Sequence, residues 1–157
     1  VSSTPVAVCV DMDNQAVREL LEEFPQIEII QCHGSESPTR LDEIRELAGD
    51  RKIWKAIHVI ELNDLVQIKD YFAAADLLLY DTKAIDQGIQ VELGGTGQRF
   101  DWSLLNRIHS SQHFALAGGI KQGMIEAASA TGASIIDLCF VSKMGLNSVN
   151  FVTYHRE

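Results

Sequence analysis

Short apolar runs alternate with amphipathic stretches almost to the end of the chain, and this alternation predicts strands followed by helices. Strands are predicted at 5–11 (PVAVCVD), 27–34 (IEIIQCHG), 52–59 (KIWKAIHV), 76–82 (DLLLYDT), 113–119 (HFALAGG) and 133–141 (ASIIDLCFV). Helices are predicted near 14–24, 38–49, 62–73, 101–109 and 120–131. Two of them carry start signals. Ser37 is an N-cap with Pro38 at the first helical position, and Asp101 is an N-cap ahead of WSLL. The order makes βαβ units, hence a parallel sheet with helices outside it. Near-continuous apolar strands fit a sheet covered on both faces.

Six alternations fit an open doubly wound sheet and a (βα)8 barrel equally. In either, ligand chemistry belongs at the carboxyl ends of the strands. Those ends are polar or glycine-rich here: Asp11, Gln31 to Gly34, His58, Asp81 with Thr82, Gly118 with Gly119, and Asp137.

Composition narrows the class. The 157 residues are 46% hydrophobic and 22% charged, as in one globular domain spanning 1–157, and no linker or low-complexity run divides them. A formal net charge of -9 disfavours nucleic acid and anionic membranes as partners. No bilayer-length apolar run occurs, and VSSTPVAVCVDMD lacks the basic start of a signal peptide, so a cytoplasmic protein is expected. Cys9, Cys32 and Cys139 are odd in number and lie in apolar segments, which argues for reduced thiols; a catalytic thiol stays open. The five histidines are scattered, most of them singly in different elements, so a metal is not expected.

Three stretches carry candidate chemistry, each with a structural alternative. QCHGSE puts His33 and Gly34 at a strand end, where the imidazole is either buried against backbone or functional. LLLYDT puts Asp81 after apolar residues, where desolvation favours a general acid, although a strand-end aspartate also caps turns. LAGGI leaves N–H groups at Gly118 and Gly119 for an anion at a helix start, or makes a tight turn. The long connection Lys83 to Phe100 leads into GGTGQRFDW, Gly94 to Trp102, where three glycines permit close backbone approach.

Taken together, QCHGSE, KAIHV, LLLYDT, GGTGQRFDW and LAGGI resemble, in chain order, the phosphoribosylanthranilate isomerases of tryptophan biosynthesis. The resemblance covers roughly Val6 to Asp137. It implies a (βα)8 barrel that converts N-(5-phosphoribosyl)anthranilate to the 1-deoxyribulose 5-phosphate product by an acid/base Amadori rearrangement, with no cofactor. The acid is then Asp81, and substrate or phosphate binding falls to His33, Gly95, Gly118, Gly119 and Asp137. The implied partner is a phosphorylated small molecule; monomer and homodimer both remain open.

The pattern breaks at both ends. A barrel of this type needs roughly 200 residues or more. The opening resembles the family's third strand, and LCFVSKMGLNSVNFVTYHRE stands where the family has Val-Ser-Ser-Gly-Val-Glu. One reading is a circularly permuted barrel, in which Cys139 is the catalytic base and Val1 lies near Glu157. The other is a fragment: a relic phosphate-binding unit, or another sugar-phosphate enzyme on this fold, in which Cys139 is a buried apolar residue. NFVTYHRE, similar to the family's second-strand end, favours the permuted reading; Arg156 lies outside the carboxylate-binding motif and stays unassigned.

Overall fold

A computed structural model of the protein describes residues 4–59, 62–65, 67–82, 102–107 and 113–138. Six parallel strands form one sheet: β1 (Val6–Cys9), β2 (Ile29–Cys32), β3 (Lys52–Val59), β4 (Leu77–Thr82), β5 (Phe114–Leu116) and β6 (Ile135–Ile136). They lie side by side in chain order. That order decides between the two architectures. A doubly wound sheet reverses direction partway, whereas right-handed crossovers that never reverse put every helix on one face. The sheet must then curl so that its other face becomes an interior, as in a (βα)8 barrel.

The helices follow local chemistry. In α1 (Asn14–Glu23) the Asp13 carboxylate accepts the Ala16 N–H at 2.8 Å, and Val17 and Leu21, four apart, are buried. In α2 (Pro38–Ala48) Ser37 accepts from Arg40, Pro38 opens the first turn, and Gly49 ends it at φ 65°. Both starts and ends agree with the sequence expectation to within a residue or two.

Elsewhere the predicted helices are tighter and shorter. The 62–73 stretch forms two 3₁₀ turns, Leu62–Leu65 and Gln67–Tyr71. Asn63 and Asp64, residues that compete for backbone hydrogen bonds, sit in the first. The 101–109 stretch is a 3₁₀ helix over Trp102–Arg107, whose core residues Trp102 and Leu105 are three apart, the spacing that a 3₁₀ turn aligns. The last is a 3₁₀ turn, Gln122–Met124, running into the five-residue α3 (Ile125–Ser129); Gly123 weakens its start. Strand β5 stops early because Gly118 and Gly119 adopt φ of 93° and 67°. Strand β6 covers Ile135–Ile136 of the predicted 133–141, whose last three residues lie outside the described ones, and Ser134 and Asp137 continue its ladder to β5. No helix among the described residues is long and apolar enough to cross a membrane.

Alternation along the strands sorts the core into two sides. Ala7, Cys9, Ile30, Cys32 and Ile53 pack on α1 and α2. Ile57, Leu78, Tyr80 and Leu116 pack on the 3₁₀ turns and α3. The opposite face is lined by strand residues alone, among them Val6, Ile29, Trp54, Ala56, Leu79 and Ala115. Counting on by twos from these residues reaches Gln31, His33, His58, Asp81 and Asp137.

Candidate active site

The carboxyl ends of β2, β3, β4 and β6 therefore bring polar side chains into the interior that apolar residues fill lower down. His33 extends β2, its N–H donating to the Cys9 carbonyl at 2.7 Å. His33 Nε2 lies 3.2 Å from Asp81 Oδ2, and both side chains are part-buried. Gln31, buried two residues earlier on the same face, places Nε2 2.9 Å from His33 Nδ1. With the amide NH2 donating there, Nδ1 is an acceptor and Nε2 carries the proton aimed at Asp81. His58 packs edge-on against His33, ring centres 5.0 Å apart, and donates Nε2–H to the His33 carbonyl at 3.2 Å. Burial lowers the pKa of His58, and the hydrogen bond to the His33 carbonyl offsets this only in part.

Asp137 lies where β6 ends, and its N–H donates to the Leu116 carbonyl. Its Oδ1 is buried with no hydrogen-bond partner among the described residues. Burial, and after it the charge of Asp81, pushes the Asp137 carboxyl up to about 6. One carboxyl of the site thus keeps its proton two units further than an ordinary aspartate.

Gly118 and Gly119 sit at the end of β5, both in the left-handed region. The expected anion seat at a helix start is altered here: the next element is a three-residue 3₁₀ turn, so any attraction comes from local N–H groups rather than from a long helix. Cys139, Gly95, Asp101, Val1, Glu157 and the connection Lys83 to Phe100 lie outside the described residues.

A brace behind the site was not anticipated. Glu36 and Lys55 are buried on the helix side, with Lys55 Nζ 3.0 Å from Glu36 Oε2 and 2.7 Å from the Gly34 carbonyl. Glu36 Oε1 accepts the N–H groups of Asp11 and Gly34. Burial pushes the Glu36 carboxyl up, but these hydrogen bonds and the Lys55 charge outweigh it and hold the pKa below its ordinary value. Asp11, in the left-handed region at φ 47°, accepts the Ser35 N–H at 2.7 Å. The loops after β1 and β2 are thereby tied to β3, which fixes where His33 points. The signal in the sequence was a lysine inside an apolar strand, which demands a buried partner.

Scatter along the chain is also not scatter in space. His33, His58 and Asp81 come from different elements, yet one donor atom of each lies within 4.8 Å of the others. Parallel strands in chain order bring successive carboxyl ends side by side, so two histidines that stand singly in the sequence meet here. Cys9 and Cys32 are buried free thiols, as expected.

Comparison with known proteins gives a consistent outcome. The family model described as N-(5'phosphoribosyl)anthranilate (PRA) isomerase matches residues 1–142. The N-(5'-phosphoribosyl)anthranilate isomerase of Agrobacterium fabrum is 40% identical over 134 residues, covering 85% of this chain and 59% of its own length. That of Rhizobium meliloti is 38% identical over 133 residues, covering 84% and 60%. The chain thus spans about 60% of the length of these curated relatives. Among solved structures, phosphoribosyl anthranilate isomerase from Thermotoga maritima aligns with a TM-score of 0.64 at 24% identity, over 80% of this chain and 56% of that one. A further isomerase structure, solved with reduced 1-(o-carboxyphenylamino)-1-deoxyribulose 5-phosphate, aligns at 0.60 with 21% identity, over 80% and 54%. Both structural matches establish the same barrel-type fold.

Proposed function

The chain belongs to the N-(5′-phosphoribosyl)anthranilate isomerase family, and on that premise we propose that the protein catalyses the Amadori rearrangement of N-(5-phosphoribosyl)anthranilate to the 1-deoxyribulose 5-phosphate product. The observation that carries this reading is Asp81, at the interior end of β4, held 3.2 Å from His33, with its charge helping to raise the Asp137 carboxyl.

The reaction needs an acid to protonate the ribose ring oxygen, so that the ring opens to a Schiff base, and a base to take the C2′ proton, giving the enolamine that becomes the ketone. Asp81 is assigned the acid. His33 orients its carboxylate and closes the sugar pocket, while Gly118 and Gly119 offer backbone N–H groups to the phosphate. Gly95 is assigned a substrate contact. The base is assigned to Cys139.

A specific observation supports a second division of labour. Asp137 holds a proton up to about 6 through burial and the neighbouring Asp81 charge, and its Oδ1 is unpartnered among the described residues. On this reading Asp137 supplies the proton and the Asp81 side chain stabilises the iminium.

The test is consumption of fluorescent phosphoribosylanthranilate by the wild-type chain and by Asp81→Asn, Asp137→Asn and Cys139→Ala. Asp81 as acid predicts loss of nearly all turnover in Asp81→Asn with ligand affinity retained, because the acid acts in the transition state. A larger loss in Asp137→Asn would transfer the role. Binding of the reduced product analogue without any wild-type turnover would leave a phosphate-binding unit in place of an enzyme.

A further inference from the structure

The geometry points to a transition-metal site formed by His33, His58 and Asp81, suited to a divalent ion of zinc's class. The three side chains stand at the ends of β2, β3 and β4 on the interior face, and one donor atom of each lies within 4.8 Å of the others. His33 Nε2 and Asp81 Oδ2 are 3.2 Å apart. Two ligands of a tetrahedral zinc ion with bonds of about 2.0–2.1 Å sit about 3.3 Å from each other, so this edge of the coordination polyhedron is already formed. The remaining separations are at most 4.8 Å, wider than that edge, so binding draws the third ligand inward.

The partners that a metal ligand needs behind it are also in place. A coordinating histidine donates its second ring N–H to a fixed acceptor. His58 does so already, giving Nε2–H to the His33 carbonyl and leaving Nδ1 with its lone pair. For His33 the partner is Gln31, whose carboxamide is 2.9 Å from Nδ1. When an ion takes Nε2, the ring proton moves to Nδ1 and the carboxamide turns over to present its oxygen, so no proton leaves the site. Two imidazoles and one carboxylate select zinc, cobalt or nickel over magnesium and calcium, which prefer all-oxygen ligand sets. Nothing in the rearrangement requires this ion. It would occupy the gap between His33 and Asp81, so an ion-loaded chain loses turnover; that consequence rests on the isomerase reading, and binding itself does not.

The experiment is calorimetric titration of the whole chain with Zn²⁺ and separately with Mg²⁺, with thermal melting run on each variant and Co²⁺ absorption on the wild type. One zinc per chain is expected, bound at least tenfold more weakly by folded His58→Gln and by folded Gln31→Leu, with no magnesium uptake. The Co²⁺ complex is expected to show the intense visible bands of a tetrahedral ion. Absence of zinc uptake, affinity unchanged in His58→Gln, or a Co²⁺ spectrum of an octahedral aqua ion would each overturn the assignment, and the cobalt arm needs no variant to fold.

Discussion

The ammonium of Lys55 lies 3.0 Å from the carboxylate of Glu36, and the two side chains are only 3% and 1% exposed. A pair this buried contributes little over an apolar replacement, yet breaking it strands a charge. Lys55→Met is expected to cost about 3–5 kcal/mol, and the double variant Lys55→Met with Glu36→Gln less than the sum of the two singles. Urea unfolding of the four proteins checks this; additive losses would mean that the pair is not coupled.

Gly34 is fixed by its neighbour across the loop. A Cβ there would come 2.5 Å from Asp11 Oδ1, so the aspartate must swing away and release the Ser35 N–H. Gly34→Ala should destabilise by about 1–3 kcal/mol. Combined with Asp11→Ala, which removes the obstacle, it should cost less than expected from the singles. A thermal-melt cycle gives the coupling, and a value near zero would count against the contact.

Asp137 makes stability pH-dependent in the direction opposite to a salt-bridged acid. The native carboxyl keeps its proton up to about 6, while the unfolded one loses it near 3.8. The folded state therefore binds more protons in that window, and this group's contribution falls as pH rises from about 4 to 6. At pH 7 the ionised, buried carboxyl costs up to about 3 kcal/mol. Asp137→Asn should recover part of that and flatten the slope, measured by denaturant unfolding at a series of pH values.

Because the Asp81 charge helps to raise the Asp137 pKa, Asp81→Asn should move the Asp137 titration down. Carboxyl-carbon NMR reads this without any turnover. An unmoved midpoint would leave burial as the only cause.

Burial pushes the Cys9 thiol up to about 11 and the Cys32 thiol up to about 12, with the Glu36 charge adding to both. The thiolate is the reactive form. Both should resist alkylation at pH 8 in the native chain and react fully in denaturant, as peptide mass mapping of the two sites would show.

The βαβ order was legible because apolar runs and capping residues act locally: Asp13 and Ser37 cap the helices that follow them. Strand-end polarity also points to Asp81, His33 and Asp137. Alternation alone left the architecture open, since it depends on whether the strand order reverses, a property of neighbours in space; the motif resemblance pointed to the (βα)8 barrel, and the strand order agrees with it. Gln31 and His58 were missed as partners of His33 for the same reason. Gln31 is held by a side-chain contact on its own strand and His58 by a backbone carbonyl at the end of the preceding one, contacts that residue spacing along the chain does not show. The 3₁₀ turns after β3 escaped prediction because apolar spacing at 62–73 also suits an α-helix.

The sheet has a rhythm. Val6 pairs with Ile29, Ile29 with Lys52 and Trp54 with Leu77, each 23 positions apart, whereas Leu78 pairs with Phe114 across 36. Equal spacing means that each strand needs to find only its immediate predecessor, so chain closure costs about the same entropy at every step and assembly can spread from any unit. The one long step begins directly after Asp81. Extra residues between β4 and β5 leave the register of every other strand pair unchanged, so the frame tolerates a change of length at this one step while the rest folds as before.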